Sequence, residues 1–390
     1  MGRIPPLYYL LVFALAAFIT DIAGVDPIVV FILSAIGLIP LAKLIGDATE
    51  ELAIYTGPKL GGLLNATLGN AAELIITIFA LQAGLLELVR ASLVGSILGN
   101  LLVVLGLSLL LGGLRHGIQV FDRRTAGLNS TMLMLAVVAL AIPSLFDRAL
   151  IELPNSELLF SEGVAIILIV LYGLSVFYSF TAKSSPAHET AHPDHNVGVA
   201  VEGSGAVAGP ALKPVVGESA DVDDAAPVHH AKWSLRFTVI VLILSTIGTA
   251  VVSEILIGAV EPVVEQLGLT EFFLGIIIIP LVGNIAEHLV AVQVALKNKM
   301  ELSLAVSLGS SLQIALFVAP VLVFISLLFG QRLLLVFNDF ELIVLFGASL
   351  IAALIALDGE SNWLEGAILL GIYLIVGMAF FFLPATIAVH

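Results

Sequence analysis

The sequence predicts an all-α membrane protein of eleven transmembrane helices, one extra helix followed by two inverted five-helix repeats. Three observations lead there: a composition too apolar for a water-soluble domain, eleven apolar runs of spanning length, and a motif that recurs in the second half. Of 390 residues, 59% are apolar and only 12% charged, whereas a soluble domain has roughly 45–50% and about 25%. A soluble protein of this length keeps too much surface wet to hide that much hydrocarbon. Cysteine is absent, which removes disulfides, thiolate metal sites and cysteine nucleophiles. A formal charge of −15 argues against nucleic acid as a partner, because phosphate binding needs clustered Lys and Arg.

A helix crossing about 30 Å of hydrocarbon needs roughly 20 apolar residues. On that measure the spans lie at 5–22, 26–45, 61–83, 89–111, 126–146, 160–181, 234–257, 271–297, 303–329, 338–357 and 363–385. The first run has one Arg before it and ten spans after it, unlike a cleaved signal peptide. If the spans alternate, the N-terminal side collects Arg3, Lys43, Lys59, Arg115, Arg123, Arg124, Lys297 and Lys299 in its short segments. The opposite side holds only Arg90, Arg148 and Arg332. The positive-inside rule then places the N-terminus in the cytoplasm and the C-terminus outside. Trp233, Trp363, Tyr8 and Tyr9 fall at span edges and read as interface anchors.

The one break in composition is the stretch 183–232, rich in Gly, Ala, Pro and Ser, acidic, and carrying His188, His192, His195, His229 and His230. It is expected to be a disordered, solvated cytoplasmic linker. The chain therefore divides into an extra helix (1–25), a first five-helix repeat (26–182), this linker (183–232) and a second five-helix repeat (233–390).

The repeat is visible as Gly69-Asn70-Ala71-Ala72-Glu73 in the third span and Gly283-Asn284-Ile285-Ala286-Glu287 in the eighth, 214 residues apart. At the same offset Ser96 meets Ser310. Five crossings separate the motifs, so the two helices run in opposite directions, as in the inverted-topology repeats of many secondary transporters. A carboxylate inside a span costs about 2.5–3.5 kcal/mol even on the lenient scale. A single buried Glu is often a protonated, hydrogen-bonded core residue. Here two are related by the repeat, and no Lys or Arg lies centrally in any span, which points to an ion site.

Two facing carboxylates make a hard, oxygen-rich site, and calcium accepts 6–8 oxygens in flexible geometry. Asn70, Asn284, Ser96, Asn100, Ser310, Ser311 and Gln313 offer further side-chain oxygens, while Gly69 and Gly283 are expected to permit irregular backbone whose carbonyls turn toward a cavity. His288 is the only imidazole in a span, which disfavours zinc or copper. It points about 100° away from Glu287, either titrating with the site or packing as a core histidine. Glu254 inside the seventh span, and Glu50 and Glu51 just beyond the second, are candidate relays or attractors, with a solvated helix end as the plain alternative for the last two. Without a cation two close carboxylates in a low dielectric do not both stay ionised. Metal and protons then compete for one site, and a competition site open alternately to each side performs antiport.

The motifs Gly69-Asn70-Ala71-Ala72-Glu73-Leu74-Ile75 and Gly283-Asn284-Ile285-Ala286-Glu287-His288 resemble the paired signatures of calcium/proton antiporters, the cation/proton exchanger branch of the calcium/cation antiporter superfamily. The resemblance extends through Ala48-Thr49-Glu50-Glu51-Leu52 and Gly309-Ser310-Ser311-Leu312-Gln313. It implies a transporter, not an enzyme, with no resident cofactor, calcium and protons as transported ions, and Glu73 and Glu287 as the central metal ligands. Sodium/calcium exchangers are the nearest relatives. Their repeats carry a Thr-Ser-Leu-Pro-Glu pattern and an acid where this chain has neutral Gln313 and Ile314, which favours protons over sodium. The competing readings are a sodium/calcium exchanger, a cation channel and an intramembrane enzyme using paired acids. The short N-terminus suggests a prokaryotic plasma membrane.

Overall fold

A computed structural model describes residues 5–150, 156–181 and 231–383. The linker assigned to 183–232, with its five histidines, lies outside the described residues except for 231 and 232. The architecture is almost entirely helical. In chain order the helices are α1 (Pro6–Ile22), α2 (Pro27–Leu68), α3 (Ala71–Ala83), α4 (Leu86–His116), α5 (Arg123–Leu150), α6 (Ser156–Thr181), α7 (Leu235–Leu267), α8 (Glu271–Ala295), α9 (Met300–Leu328), α10 (Asp339–Asp358) and α11 (Trp363–Phe381). Among the described residues nine are long and apolar enough to cross a membrane, while Pro6–Ile22 and Ala71–Ala83 are shorter. A two-residue antiparallel pairing of β1 (Gln119–Val120) with β2 (Glu360–Ser361) ties two loops together.

Local chemistry accounts for the helix ends. Asp26 accepts a hydrogen bond from the Ile28 N–H and Pro27 fills the first helical position of α2, where a missing N–H costs nothing. Capping boxes, Asn338 with Glu341 and Asn362 with Glu365, open α10 and α11. Gly57 interrupts α2 with φ 79° and ψ 172°, a conformation open essentially to glycine, so the chain bends there before continuing to Leu68. The span expected at 61–83 is not one helix. The chain breaks at Gly69–Asn70, with Asn70 at φ −96° and ψ 23°, and α3 restarts at Ala71.

The duplication extends to helix boundaries. Leu86 and Met300, the first residues of α4 and α9, are 214 positions apart. Each of these helices widens into a π-helical turn at equivalent places, Gly99–Val104 and Ile314–Val318. A third π-helical turn, Leu274–Ile278, lies near the start of α8. Packing follows a two-fold pattern. The counterparts α2 and α7 pack on each other, as do α5 and α10. Other pairs exchange partners: α3 packs on α7 while α8 packs on α2, and α4 packs on α11 while α9 packs on α6. Such exchange is what a two-fold relation between halves produces.

The core sits on α4. Leu98, Leu101, Leu102, Leu105 and Leu109 are fully buried, whereas α6 and α11 turn large side chains such as Ile167 and Leu374 outward. Hydrophobic on all sides, these outer helices suit contact with lipid. The tightest crossing is between α4 and the π-helical turn of α8. A β-carbon at Gly95 would lie 2.1 Å from the Ile276 carbonyl oxygen and 2.7 Å from Pro280 Cγ. Gly95→Ala is therefore expected to destabilise the protein by about 1–3 kcal/mol or more, read as a lower melting temperature in detergent. Gly173→Ala, where a β-carbon meets nothing within 4 Å, serves as the control. Equal melting temperatures for both variants and wild type would contradict the close crossing.

Candidate ion-binding site

The two motif helices meet through their glycines. A β-carbon at Gly283 would lie 3.0 Å from Glu73 Cγ, and one at Gly69 would lie 3.6 Å from Glu287 Oε1 and 3.7 Å from Gln313 Oε1. Each glycine thus faces the other half's glutamate. The irregular backbone expected at these two glycines falls instead on Asn70, where the chain breaks: Gly69 itself is right-handed helical at φ −55° and ψ −45°, and Gly283 lies inside α8. Closeness of approach, not backbone freedom, explains the residue type at both.

Because the chain breaks before Ala71, Glu73 occupies the first turn of α3, the positive end of the helix dipole. It is only 6% exposed. Its Oε1 accepts a hydrogen bond from Ser96 Oγ at 2.5 Å, while its buried Oε2 has no hydrogen-bond partner. Glu287 sits mid-helix in α8, half-buried, and its Oε2 is likewise buried without a partner. The two carboxylates repel each other, and Ser310 stands beside Glu287 as Ser96 does beside Glu73. Among the described residues no Lys or Arg is paired with either glutamate; Lys43 pairs with Asp47.

Amides and a hydroxyl stitch the halves together around this pair. Asn70 Nδ2 donates to Gln313 Oε1 at 2.7 Å, and Ser310 Oγ donates to Asn70 Oδ1 at 3.0 Å. Asn100, in the π-helical turn of α4, donates to Ser310 Oγ at 3.1 Å. Asn284 lies beside Glu73 with its own Nδ2 unpartnered. Gly69, Asn70, Glu73, Ser96, Asn100, Gly283, Asn284, Glu287, Ser310 and Gln313 therefore lie in one cluster. Among the described residues no group of three or more His, Cys, Asp or Glu could hold a metal. Further ligands in such a site have to be amide, hydroxyl, carbonyl or water oxygens.

A cavity of about 400 Å³ leads to this cluster. Its inner end is walled by Asn65, Gly69, Gly283, Glu287, Ser310 and Gln313, and it runs along α2 past Lys43 and Gly46 to Glu50. Glu73 is not part of its wall. Access in this conformation reaches Glu287 first and leaves Glu73 behind it against Ser96.

The remaining candidates divide. Glu50 lines the cavity mouth. Glu51 instead accepts from the backbone N–H groups of Lys232 (2.8 Å) and Trp233 (3.2 Å), holding the chain as it enters α7. Glu254 is exposed on α7, because its place on the helix faces outward, and it does not line the cavity. Ser311 turns back on its own helix, donating to the Ser307 carbonyl at 2.9 Å. His288 is buried with Nε2 unpartnered, also outside the cavity wall. Tyr8, expected at an interface, donates its hydroxyl to Asp47. Sequence reasoning missed Lys43 in the cavity wall. The available signal was Lys43, Asp47 and Glu50 recurring on one face of α2, at spacings of four and three.

The chain matches the family described as sodium/calcium exchanger protein over residues 27–181 and 237–382. A Ca2+/H+ antiporter of Aphanothece halophytica is 44% identical over 362 residues, covering 93% of this chain and 92% of that protein. The Ca2+/H+ antiporter ChaA of Bacillus subtilis is 41% identical over 357 residues, covering 91% and 92%. The solved structure of native YfkE superposes with a TM-score of 0.78 at 37% identity, covering 97% of this chain and 100% of that one. With the family matched in two blocks that span most of the chain, and relatives above 40% identical over nine-tenths of it, the chain belongs to the sodium/calcium exchanger family.

Proposed function

We propose that this chain is a calcium/proton antiporter that works by alternating access, with Glu73 and Glu287 binding either one calcium ion or protons. The observation that carries this reading is a pair of repeat-related carboxylates, each with a buried, unpartnered oxygen and neither paired to a cation among the described residues, of which Glu287 lines a cavity and Glu73 lies behind it. The relatives named Ca2+/H+ antiporters, at 41–44% identity over most of the chain, support the choice of ions. Burial in a low dielectric makes two bare carboxylates costly, and either a shared divalent ion or protons relieves that cost. The two ligands thus exclude each other at one site. Asn70, Asn284, Ser96, Asn100, Ser310 and Gln313 complete the shell directly or by positioning the acids.

In this reading the extra helix (1–25) precedes the two repeats, 26–182 and 233–390, and the N-terminus is cytoplasmic by the Lys and Arg distribution. The Lys43–Glu50 mouth then faces the cytoplasm, so the conformation described is open inward, ready to receive calcium for export against incoming protons. The chain is a carrier and not an enzyme, and a prokaryotic plasma membrane suits it.

A second reading, sodium/calcium exchange, is favoured by the description of the matching family. Proteoliposomes with a pH gradient and no sodium separate the two. Calcium uptake is expected, whereas uptake that appears only when sodium is supplied would establish sodium exchange instead. Glu73→Gln and Glu287→Gln should each lower uptake about 100-fold, the equivalent of roughly 3 kcal/mol for removing one charge from a buried pair, with an unchanged size-exclusion profile. Half the wild-type rate in either variant would remove that residue from the site. Asn70→Ala and Gln313→Ala, which break the 2.7 Å amide contact, should raise the half-saturating calcium concentration about three- to tenfold, on the scale of one lost hydrogen bond. An unchanged value in both would take this contact out of the shell.

A further inference from the structure

The vestibule of a calcium carrier holds a cation of its own. Lys43 lines the cavity together with Gly46 and Glu50, one and two turns further along the same face of α2. An ammonium there repels an approaching divalent ion and offers Glu50 an internal partner. Its partner is instead Asp47, one turn away, which is not part of the cavity wall. Asp47 in turn accepts a hydrogen bond from the Tyr8 hydroxyl, carried by α1, the helix that lies outside the repeat. Lys43 and Asp47 are both about one-quarter exposed, 24% and 22%, so the pair is neither fully solvated nor sealed. The other charges that face Glu50 are Lys232 and Glu51, and Glu51 is engaged with the backbone of Lys232 and Trp233.

From this geometry we infer that Asp47, held by Tyr8, is a positioning residue that draws the Lys43 ammonium out of the ion path, so that Glu50 is left as the first carboxylate an entering cation meets. The simple alternative is an i, i+4 pair that adds a few tenths of a kcal/mol to an exposed helix. Two features weigh against it. The tyrosine contact comes from a different helix across 39 residues of sequence, and Lys43 is part of the wall of the cavity that reaches Glu287. The extra helix thereby acquires a task in ion entry that the two repeats do not supply.

This inference rests on the antiport reading, so the experiment separates the two. Calcium uptake driven by a pH gradient is measured in sodium-free proteoliposomes for wild type, Asp47→Asn, Tyr8→Phe, and each of these combined with Lys43→Gln. No sodium-free uptake by wild type would remove the antiport reading itself. With wild type active, Asp47→Asn is expected to raise the half-saturating calcium concentration about five- to tenfold, the effect of a unit charge on a divalent ion across a wet vestibule, while the maximal rate holds. Tyr8→Phe should shift it in the same direction by less. Adding Lys43→Gln should return both to near the wild-type value, which a merely structural loss would not allow. An unchanged half-saturation in Asp47→Asn, or a rise that Lys43→Gln leaves in place, overturns the proposal. If Asp47→Asn gives no folded protein, Tyr8→Phe with and without Lys43→Gln decides on the same criterion.

Discussion

Placing two carboxylates in a bilayer without a basic partner sets the terms for everything around them. Each costs several kcal/mol to bury in charged form, so the surrounding structure has to supply polar contacts from elements that also seal against lipid. Close crossing of α3 and α8 meets that demand. Gly69 and Gly283 let each helix approach the other half's glutamate, and Ser96 reaches Glu73 from α4. The amides of Asn70 and Asn100 join the halves through Ser310, and Asn70 also donates directly to Gln313. One buried oxygen on each glutamate remains without a hydrogen-bond partner, which leaves the pair disposed toward cations and protons.

Duplication distributes this burden over two similar halves, yet the two glutamates are not equivalent. Glu73 stands in the first turn of a short helix, sealed behind Ser96, while Glu287 stands mid-helix in the cavity wall. The two halves thus differ locally, and the cavity reaches Glu287 without reaching Glu73. The π-helical turns at equivalent positions in α4 and α9 lie just past Ser96 and Ser310. Such turns interrupt the regular ladder and recur at functional sites.

The extra helix and the kinked α2 show how elements outside the motif shape access. Bending at Gly57 takes α2 past the cavity mouth, and Tyr8 of α1 fastens Asp47 on its side. Glu51 meets the chain where it returns from the linker into α7. Polar side chains at this end of the molecule thus divide their work between holding the chain and lining the ion path, although three of them, Asp47, Glu50 and Glu51, lie within five residues.

Much of this was legible in the sequence, because membrane burial writes itself into composition. Apolar runs mark the helices, and a carboxylate in such a run is too costly to be incidental, so Glu73 and Glu287, with the amides and serines at equivalent offsets, could be chosen from one chain. What remained hidden depends on rotation about each helix and on where helices bend. Hydropathy does not distinguish Glu254, turned outward, from Glu50, turned into the cavity, nor Ser310 in the network from Ser311 bonded to its own helix. The break before α3, the π-helical turns and the lysine in the vestibule arise from packing between helices far apart in sequence. A single chain's residue order determined that two acids are buried together. Only the tertiary structure decided which neighbours reach them and from which side an ion can come, because those are properties of crossings, not of spans.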